Sequence, residues 1–564
     1  MTVRADPEQE RVLASPARHL VVVAPPGTGK TSLAARLAAE RARGIGEHQR
    51  VLLLTFSNQA RSELEREVAS HVPTALRRRV EVTNYHRFFW GLTLRYRRVL
   101  ELPELLTIVS SRRREAVIRG ATRHHALLGA LDECAELLVP AMRPAPTALN
   151  EAELARVLAA VRREHAEGRL VFGDFGAFWA LLVTRQPTLR RALRERYPVV
   201  IADEHQDASQ MQEALVRELG TSHVIFADPM QLIHAFRGAD WGRLEGHMRD
   251  ADEIVEIATP HRWHDSPALG SWLLETRDRL RGDHRRGARP PEVVITLTAP
   301  AHGTNGMLGA LPAAIRRARQ DGARSIAVMA WQNGLVADVR RYLCRHGMRP
   351  AQLGIWHAFD RLVELPEQLE GKEPKAVAAM IVDTLAALAP QITADDVSRA
   401  RARLKVSGVR GAGASVTVAS MLAGADAGYR LGPGGYFAGV AVGVDALARQ
   451  GIHAPALEEV SLYRRAAAGS DLSAQIDLFR SALMATTHRA TRADRGVLTM
   501  TVHQAKGREF DAVVLVGADA TSYRWESDES VRLFYVAITR ARKHWEIIAI
   551  RGRESRLIDA LGTT

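Results

Sequence analysis

Cysteine is scarce in this chain: its 564 residues include two, Cys134 and Cys344. They lie far apart, in segments with a helical pattern, which argues against a disulfide framework and against a thiolate zinc site. Long apolar runs are lacking as well. No stretch reaches about 18 uninterrupted apolar residues, and residues 1–10 lack the apolar segment of a signal peptide. We therefore expect a cytoplasmic protein that does not bind membranes.

Lysine is rare too, although the chain is basic. Only six lysines occur, and arginine supplies nearly all the other positive charge behind a formal net charge of +13. Such a charge favours a polyanionic partner through counterion release, but an ordinary solubilising surface explains it equally well.

Eight short apolar runs bounded by turn residues have the pattern of buried parallel strands. They form two groups, and long helical segments separate them. We expect an α/β protein with two sheets, each interrupted by a mostly helical insert. The first group is 20–23, 51–54, 199–201 and 224–226, and the second is 326–329, 497–501, 512–516 and 547–550.

The first predicted strand runs into the turn "APPGTGKT", which precedes a helical pattern. In such a turn, backbone N–H groups and a helix N-terminus face one point and bind phosphate. Lys30 then reaches the β- and γ-phosphates of a nucleotide, and the Thr31 hydroxyl binds Mg²⁺. The usual first glycine is Ala24, and two prolines each remove a donor. The predicted phosphate-binding residues are Ala24, Pro25, Pro26, Gly27, Thr28, Gly29, Lys30, Thr31 and Ser32.

Two acids directly follow another predicted strand, in "VVIADEHQDAS". A phosphate site needs a carboxylate for its metal and a base for the attacking water. We assign Asp203 to Mg²⁺ and Glu204 to the water; the alternative is a solvated acidic pair at a strand end. His205 adjoins them, but we dismiss a metal-ligand role because no second His or Cys lies at ligand spacing.

Eight blocks in order, one of them containing the acidic pair, resemble the UvrD/Rep group of superfamily 1 helicases. This resemblance implies two RecA-like, parallel-sheet P-loop NTPase domains that use ATP and Mg²⁺. The blocks are Gln9, "TFSNQARSEL" from Thr55, "TNYH" from Thr83, "DEHQD" from Asp203, "ADPMQLIHAFRGA" from Ala227, "PHRW" from Pro260, "TVHQAKGREF" from Thr501 and "ESVRLFYVAITRAR" from Glu529.

The domain order expected from this resemblance interleaves the two core domains with their inserts. Within the first insert, Asn150 and Glu153 mark a helix start and Gly168 marks its end. The ranges are 1–96 and 197–258 for the first core domain, 97–196 for its insert, 259–348 and 491–564 for the second core domain, and 349–490 for its compact insert.

The resemblance also implies roles for residues outside the phosphate turn. Gln9 would read the adenine edge, because an amide donates and accepts in one plane. His261 replaces a tyrosine that stacks on adenine, and Glu509 matches a ribose-binding glutamate. Gln231 would contact the γ-phosphate, and two arginines would reach that phosphate across the cleft between the core domains. These arginines are Arg262 and Arg540.

A groove for single-stranded DNA is the remaining implication of the resemblance. Aromatic side chains there would stack on bases regardless of sequence. His234 stands where the family has a tyrosine, and Phe236 stands where it has a tryptophan. Phe56 could equally be a residue of the apolar core. The predicted groove residues are Thr55, Phe56, Asn58, His86, His234, Phe236, Thr501 and His503.

The function implied is an ATP-dependent DNA helicase or translocase that moves 3′→5′ on single strands and acts at DNA junctions, as in DNA repair. Two alternatives stay open. One is the motor subunit of a nuclease-partnered defence or recombination complex. The other is an ATP-switched DNA-binding or sensing ATPase that does not unwind. RNA also remains open as a substrate, because such a groove contacts backbone and bases more than the sugar.

Overall fold

The computed structural model describes most of the chain, and its contacts divide that part into two compact units. Unit 1 comprises Met1–Arg285 and Val531–Thr539, and unit 2 comprises Arg286–Ser530 and Arg540–Thr564. The domain boundaries inferred from the sequence stay predictions. The described residues are 6–109, 151–233, 240–282, 288–348, 373–388, 392–406, 415–450, 463–472 and 496–562, with short stretches at 114, 117–118, 120–122, 350–352, 369, 474–476 and 478–479.

Unit 1 is built on a sheet of six parallel strands in the order β3-β2-β6-β7-β1-β8. A two-stranded parallel pair, β4 and β5, lies outside this sheet. The strands are β1 His19–Val23, β2 Val51–Thr55, β3 Val80–Asn84, β4 Thr107–Ile108, β5 Arg169–Leu170, β6 Val199–Ala202, β7 Ser222–Ala227 and β8 Glu253–Glu256.

Side chains of the central strands alternate between two apolar cores, because successive residues of a strand point to opposite faces. In β1, Val21 and Val23 pack with Tyr85 in one core, whereas Leu20 and Val22 lie in the other. Helices cover both faces, so the central strands are apolar throughout. The helices of unit 1 are Pro7–Ala14, Lys30–Arg43, Asn58–His71, Tyr85–Arg95, Glu151–Ala166, Phe172–Arg185, Pro187–Arg196, Gln210–Glu218, Trp241–Asp250 and Pro267–Leu280. A further helix, Asp528–Ile538, begins in residues of unit 2 and continues into residues of unit 1.

Local signals set several helix ends in unit 1. Ser57 Oγ accepts a hydrogen bond from the Ala60 amide, 3.0 Å away, and caps the helix Asn58–His71. In the first insert, the helix Glu151–Ala166 stops just before Gly168, whose φ of 76° suits glycine. The end predicted at Gly168 is thus confirmed, while Asn150, the predicted cap, lies outside the described residues.

Unit 2 contains a second sheet of six parallel strands, in the order β11-β12-β10-β13-β14-β9. All eight apolar runs predicted as strands lie in the two sheets, and the α/β fold is confirmed. Its strands are β9 Val293–Thr298, β10 Ser325–Ala330, β11 Ala351–Gln352, β12 Gly496–Thr501, β13 Phe510–Val516 and β14 Ala541–Ile550. Its helices are Gly303–Gly309, Leu311–Gln320, Asn333–Arg345, Pro374–Leu388, Ala394–Val406, Val416–Leu431, Tyr436–Arg449 and Val502–Ala505.

The described part of 349–490, the predicted second insert, is mostly helical and has its own apolar core. Its helical stretch Val416–Arg449 is long and apolar enough to cross a membrane, but 56% of the tested window is buried inside the protein. A turn at Gly432–Gly435 divides it into two helices that pack together. At Gly424 an added Cβ would lie 2.6 Å from the Gly439 carbonyl oxygen, so this contact requires glycine. Packing between core helices accounts for the apolar composition.

Candidate functional site

The strand order of unit 1 brings the predicted nucleotide residues to one edge of the sheet. The phosphate turn follows β1 and the two acids follow β6, with β7 between these strands. All strands are parallel, so their carboxyl ends meet at this edge, where such sheets bind ligands. Beyond β6 come β2 and β3, which end at Thr55 and Asn84. The nucleotide residues and the predicted groove residues of unit 1 therefore lie side by side along one edge.

The phosphate turn has the backbone that anion binding requires. Gly27 and Gly29 have φ of 82° and 79°, and the helix Lys30–Arg43 begins directly after them. Thr28 Oγ1 donates to the Pro25 carbonyl oxygen at 2.8 Å, and the Ala24 amide donates to the Ala227 carbonyl oxygen at 3.0 Å. The first bond closes the turn on itself, and the second ties the turn to β7. Both prolines are buried, so they stiffen the inner side of the turn.

Side chains from the first helical turn differ in their surroundings. Lys30 is buried and its Nζ lies 2.8 Å from Glu204 Oε1. Burial alone would lower the pKa of Lys30, but the carboxylates of Glu204, Asp228 and Asp203 raise it above its ordinary value. Thr31 is half-buried, and Ser32 Oγ lies 3.0 Å from His71 Nε2.

The two acids after β6 differ as well. Asp203 is buried and accepts a hydrogen bond from the Glu204 amide at 3.0 Å. Burial, and secondarily the negative charge of Glu204, raise the pKa of Asp203 to about 7. A divalent cation would relieve this desolvated, like-charged pair. Glu204 has a φ of 55°, which is uncommon for a residue other than glycine and is typical of strained functional sites.

Gln231 is held by residues to which the sequence reasoning assigned no role. Asp228, fully buried, accepts from Gln231 Nε2 at 2.9 Å and from the Met230 amide at 3.0 Å. Gln206 accepts from the Asp228 amide at 3.2 Å and donates to Glu204 Oε2 at 2.5 Å. A chain of hydrogen bonds thus joins the end of β7 to Glu204. Asp228 and Gln206 both lie within the sequence blocks that resemble the helicase family, so those blocks could have identified them.

The residues predicted to bind adenine, Gln9 and His261, lie next to the phosphate turn. Gln9 Nε2 donates to the Thr28 carbonyl oxygen at 3.0 Å. A Cβ added at Gly29 would lie 3.1 Å from Gln9 Nε2 and 3.8 Å from His261. His261 Nε2 lies 2.7 Å from Asp6 Oδ2, so Asp6 orients the imidazole.

Arg262 contacts the phosphate turn through its backbone. Its amide donates to the Gly27 carbonyl oxygen at 3.0 Å, and its Nη1 donates to the Thr539 carbonyl oxygen at 2.9 Å. The next residue, Trp263, is buried, and its ring packs against Gly27. The turn is therefore backed by an indole.

The predicted groove residues of unit 1 lie at or shortly after the ends of β2 and β3. Thr55 is buried, whereas Asn58 is exposed and accepts from Asn84 Nδ2 at 2.9 Å. Phe56 is half-buried, with its ring centroid 5.0 Å from that of Tyr85. His86 meets Phe172 edge-on, with centroids 5.6 Å apart. The predicted residues His234 and Phe236 lie outside the described residues.

The other predicted residues lie in unit 2. Thr501 Oγ1 accepts from the Gln504 amide at 3.3 Å and caps the helix Val502–Ala505, which carries the half-buried His503. Glu509 Oε2 forms an ion pair with Arg542 at 2.6 Å. Arg540 is 3% exposed, and its Nη1 donates to the Arg508 carbonyl oxygen at 3.4 Å.

Comparison with known protein families identifies the family to which this chain belongs. Residues 5–252 match the family model of the UvrD/REP helicase N-terminal domain, and residues 470–552 match that of the UvrD-like helicase C-terminal domain. The chain belongs to the UvrD/Rep helicase family. The resemblance inferred from the sequence blocks is thereby confirmed.

Individual relatives of this UvrD/Rep family member align over parts of their length. The ATP-dependent DNA helicase UvrD1 of Mycobacterium tuberculosis is 27% identical over 45% of this chain and 36% of its own. The RecBCD enzyme subunit RecB of Escherichia coli is 28% identical over 30% of this chain and 15% of its own. The exonuclease/helicase subunit RexA of Lactococcus lactis is 33% identical over 14% and 7%. Each match covers less than two thirds of the relative.

Phe172 is a further candidate residue of this UvrD/Rep chain that the sequence reasoning missed. It opens the helix Phe172–Arg185, and 55% of it is exposed although it is a phenylalanine. Its contact with His86 places it beside the predicted groove. The sequence offered no signal, because one aromatic residue in a helical insert is most often part of the core.

The reason given for dismissing a metal-ligand role for His205 does not hold. Its metal-ligand role was dismissed because no second His or Cys stands at ligand spacing, yet the fold supplies partners. His205 Nε2 lies 2.8 Å from Glu213 Oε2 and 3.2 Å from His247 Nε2. Separation along the chain was the wrong measure, because packed helices bring distant residues together.

Proposed function

We propose that this chain is an ATP-driven motor that translocates on single-stranded DNA and separates duplexes. One observation carries the proposal: the phosphate turn, the paired acids and the Gln231 turn lie at the ends of three neighbouring parallel strands. This clustering supplies an anion cradle, a metal ligand, a base and a sensor within one site. Family membership favours DNA as the molecule along which the chain moves. The net charge of +13 is consistent with binding to such a polyanion.

The proposed chemistry is attack of water on the γ-phosphate of ATP. Lys30 and the backbone of the turn hold the β- and γ-phosphates, and Glu204 orients and polarises the water. Asp203 and the Thr31 hydroxyl fit Mg²⁺, whose hard oxygen ligands they provide. When bound, Mg²⁺ would neutralise charge on the phosphate oxygens. Gln231, fixed by Asp228, would respond to loss of the γ-phosphate.

We infer that residues of both units serve one nucleotide. Gln9 and His261 would bind the base, Glu509 the ribose, and Arg262 and Arg540 the γ-phosphate. Arg262 belongs to unit 1, as the phosphate turn does, whereas Arg540 belongs to unit 2. An arginine that reaches a phosphate from another domain, as we propose for Arg540, offsets the charge that develops during transfer. Such contacts also make the closed state of the two core domains depend on the γ-phosphate. ATP would then bind the closed state more tightly than the open state, and a ligand-driven motion requires this difference in affinity.

Movement of DNA would follow from cycles of closing and opening. The predicted groove residues would hold the strand through its backbone and by stacking. In keeping with the family, we propose 3′→5′ movement, action at DNA junctions and a role in cytoplasmic DNA repair. The groove residues proposed are Thr55, Phe56, Asn58, His86, His234, Phe236, Thr501 and His503.

The test measures ATP hydrolysis with single-stranded DNA, duplex DNA or RNA, together with displacement of a labelled strand from duplexes with a 3′ or a 5′ tail. We expect stimulation by single-stranded DNA and displacement from the 3′-tailed duplex only. Displacement from the 5′ tail alone would refute the polarity. Stimulated hydrolysis without translocation would favour the ATP-switched sensor, and stimulation by RNA alone would refute DNA as the track.

A second function is favoured by the similarity to RecB and to the exonuclease/helicase subunit RexA. In this proposal the chain is the motor of a complex whose partner cuts DNA. Affinity purification of the tagged full chain, followed by nuclease assays of the isolated complex, tests it. Co-purification of a stoichiometric nuclease whose activity needs Lys30 would support it, and a chain that unwinds efficiently alone would count against it.

A further inference from the structure

Behind the acidic pair, three ionisable side chains point at one place. His205 follows Glu204, while Glu213 and His247 come from the helices Gln210–Glu218 and Trp241–Asp250. They are 3%, 7% and 7% exposed. Their ligand atoms lie 2.8 Å apart for His205 and Glu213, 2.7 Å for His247 and Glu213, and 3.2 Å for the two imidazoles. Neither imidazole ring is used by the proposed ATP chemistry.

Hydrogen bonds alone do not satisfy both imidazole nitrogens of this cluster well. Both Nε2 atoms approach the same oxygen, Glu213 Oε2. If both rings donate to it, two N–H groups crowd each other across 3.2 Å; if only one ring donates, the other ring nitrogen must share that same N–H with the carboxylate. A single cation accepts all three lone pairs at once. We propose that His205, Glu213 and His247 form a buried site for a divalent transition metal, with zinc as the best-fitting ion.

Outer contacts orient two of the three ligands. His205 Nδ1 lies 2.9 Å from the Tyr85 hydroxyl, which leaves Nε2 to face the cluster. The second oxygen of Glu213, Oε1, accepts a hydrogen bond from Arg217, and Arg217 Nη1 donates to Asp250 at 2.7 Å. Ligands whose remaining polar atoms are held in this way are typical of metal sites.

Donor type and spacing point to zinc rather than magnesium. Two imidazoles and one carboxylate suit zinc, whereas magnesium prefers oxygen ligands. Ligand distances of about 2.0–2.1 Å in a tetrahedral zinc site put the ligand atoms about 3.3 Å apart. The two nitrogen–oxygen distances would therefore lengthen by roughly half an ångström on binding, whereas the distance between the two imidazole nitrogens would hardly change. A water molecule would supply the fourth ligand, as in other sites with three protein ligands.

A metal bound by this cluster would influence the turn that follows the acidic pair. It would join the turn His205–Asp207, which carries the strained Glu204 backbone at its start, to two helices. We therefore expect it to stabilise unit 1 and to position Glu204, without contacting the nucleotide. The inference does not depend on the proposed motor function, since metal binding is measured without ATP or DNA.

Cobalt is the probe, because tetrahedral Co²⁺ with nitrogen ligands absorbs visible light strongly whereas octahedral Co²⁺ absorbs weakly. The full chain, stripped with a chelator, is titrated with Co²⁺ without nucleotide. We expect one tetrahedral equivalent that one equivalent of Zn²⁺ displaces. His247→Ala should abolish the band, whereas His247→Cys should keep it and add a thiolate charge-transfer band. His223→Asn removes a nearby buried histidine outside the cluster and should change nothing.

Two further variants keep the test decisive. Tyr85→Phe removes only an outer contact and should weaken Co²⁺ binding about 10–100-fold, which keeps the site testable if His247→Ala does not fold. Thr31→Ala disables the proposed Mg²⁺ site and should leave the band unchanged. A wild-type chain without a tetrahedral band would overturn the proposal and leave a hydrogen-bonded triad. Loss of the band in Thr31→Ala would overturn it too, by assigning the ion to the nucleotide site.

Discussion

The Lys30 ammonium lies 2.8 Å from the Glu204 carboxylate, so the group proposed to bind phosphate is paired with the group proposed to activate water. Burial of Lys30 makes this pairing necessary, because an unpaired ammonium in the interior is costly. We therefore expect an incoming γ-phosphate to compete with the carboxylate for Lys30. This competition would free Glu204 to orient the attacking water.

Replacing the proposed base separates binding from hydrolysis. In Glu204→Gln we expect kcat to fall at least about 100-fold, because the amide cannot accept a proton. ATP affinity should be equal or higher, because the amide competes less for Lys30. Steady-state hydrolysis and equilibrium binding of a fluorescent ATP analogue measure the two effects, with the exposed Glu47→Gln as control. Hydrolysis at the normal rate would show that another group is the base.

The phosphate turn should not tolerate a side chain at Gly27. A Cβ there would lie 2.6 Å from the Trp263 ring, at a φ of 82°. In Gly27→Ala we expect about 1–3 kcal/mol of strain and loss of nucleotide binding. Gly44→Ala is the control, because its Cβ would have its nearest neighbour 3.7 Å away. Thermal denaturation and nucleotide titration measure both; normal nucleotide affinity in Gly27→Ala would mean that the turn rearranges to bind phosphate.

Phe172 should contribute to DNA binding by stacking. A stacked base is worth about 1–3 kcal/mol, so Phe172→Ala should weaken single-stranded DNA binding about 5–100-fold. Hydrolysis without DNA should not change. Leu105→Ala, an exposed apolar residue of the same insert, is the matched control. Fluorescence anisotropy with labelled oligonucleotides gives both affinities, and equal binding by wild type and Phe172→Ala would remove this residue from the groove.

Acid should destabilise unit 1 through His223. Burial lowers the pKa of His223 to about 4, and His19, His247 and Arg217 add to this, while the Leu219 carbonyl opposes it. The native state therefore resists protonation, and stability falls as pH drops from about 6.5 to about 4. The loss attributable to His223 is about 3 kcal/mol at most. Denaturant unfolding across this range should show a shallower decline in His223→Asn; identical pH profiles would contradict the assignment.

Much of the fold was predictable because the central strands are buried on both faces and read as apolar runs. The edge strands were not: β8 has only two apolar residues between Glu253 and Glu256, and β9 is half-exposed and ends with two threonines among its last three residues. The phosphate turn and the acids were readable because each is contiguous in sequence. Asp228, Gln206 and the His205 cluster depend on which strands and helices become neighbours, which short-range patterns do not encode.

The central claim is that Arg540 acts on the same triphosphate as Lys30, Asp203 and Glu204. The most direct measurement is single-turnover ATP hydrolysis by Arg540→Ala with saturating single-stranded DNA. Arg540→Lys and the exposed Arg553→Ala serve as controls, and thermal denaturation checks the fold. We predict a rate at least about 10³-fold below wild type for Arg540→Ala, with DNA affinity retained, and normal rates for Arg553→Ala. A folded Arg540→Ala that hydrolyses ATP within about tenfold of the wild-type rate would contradict the account.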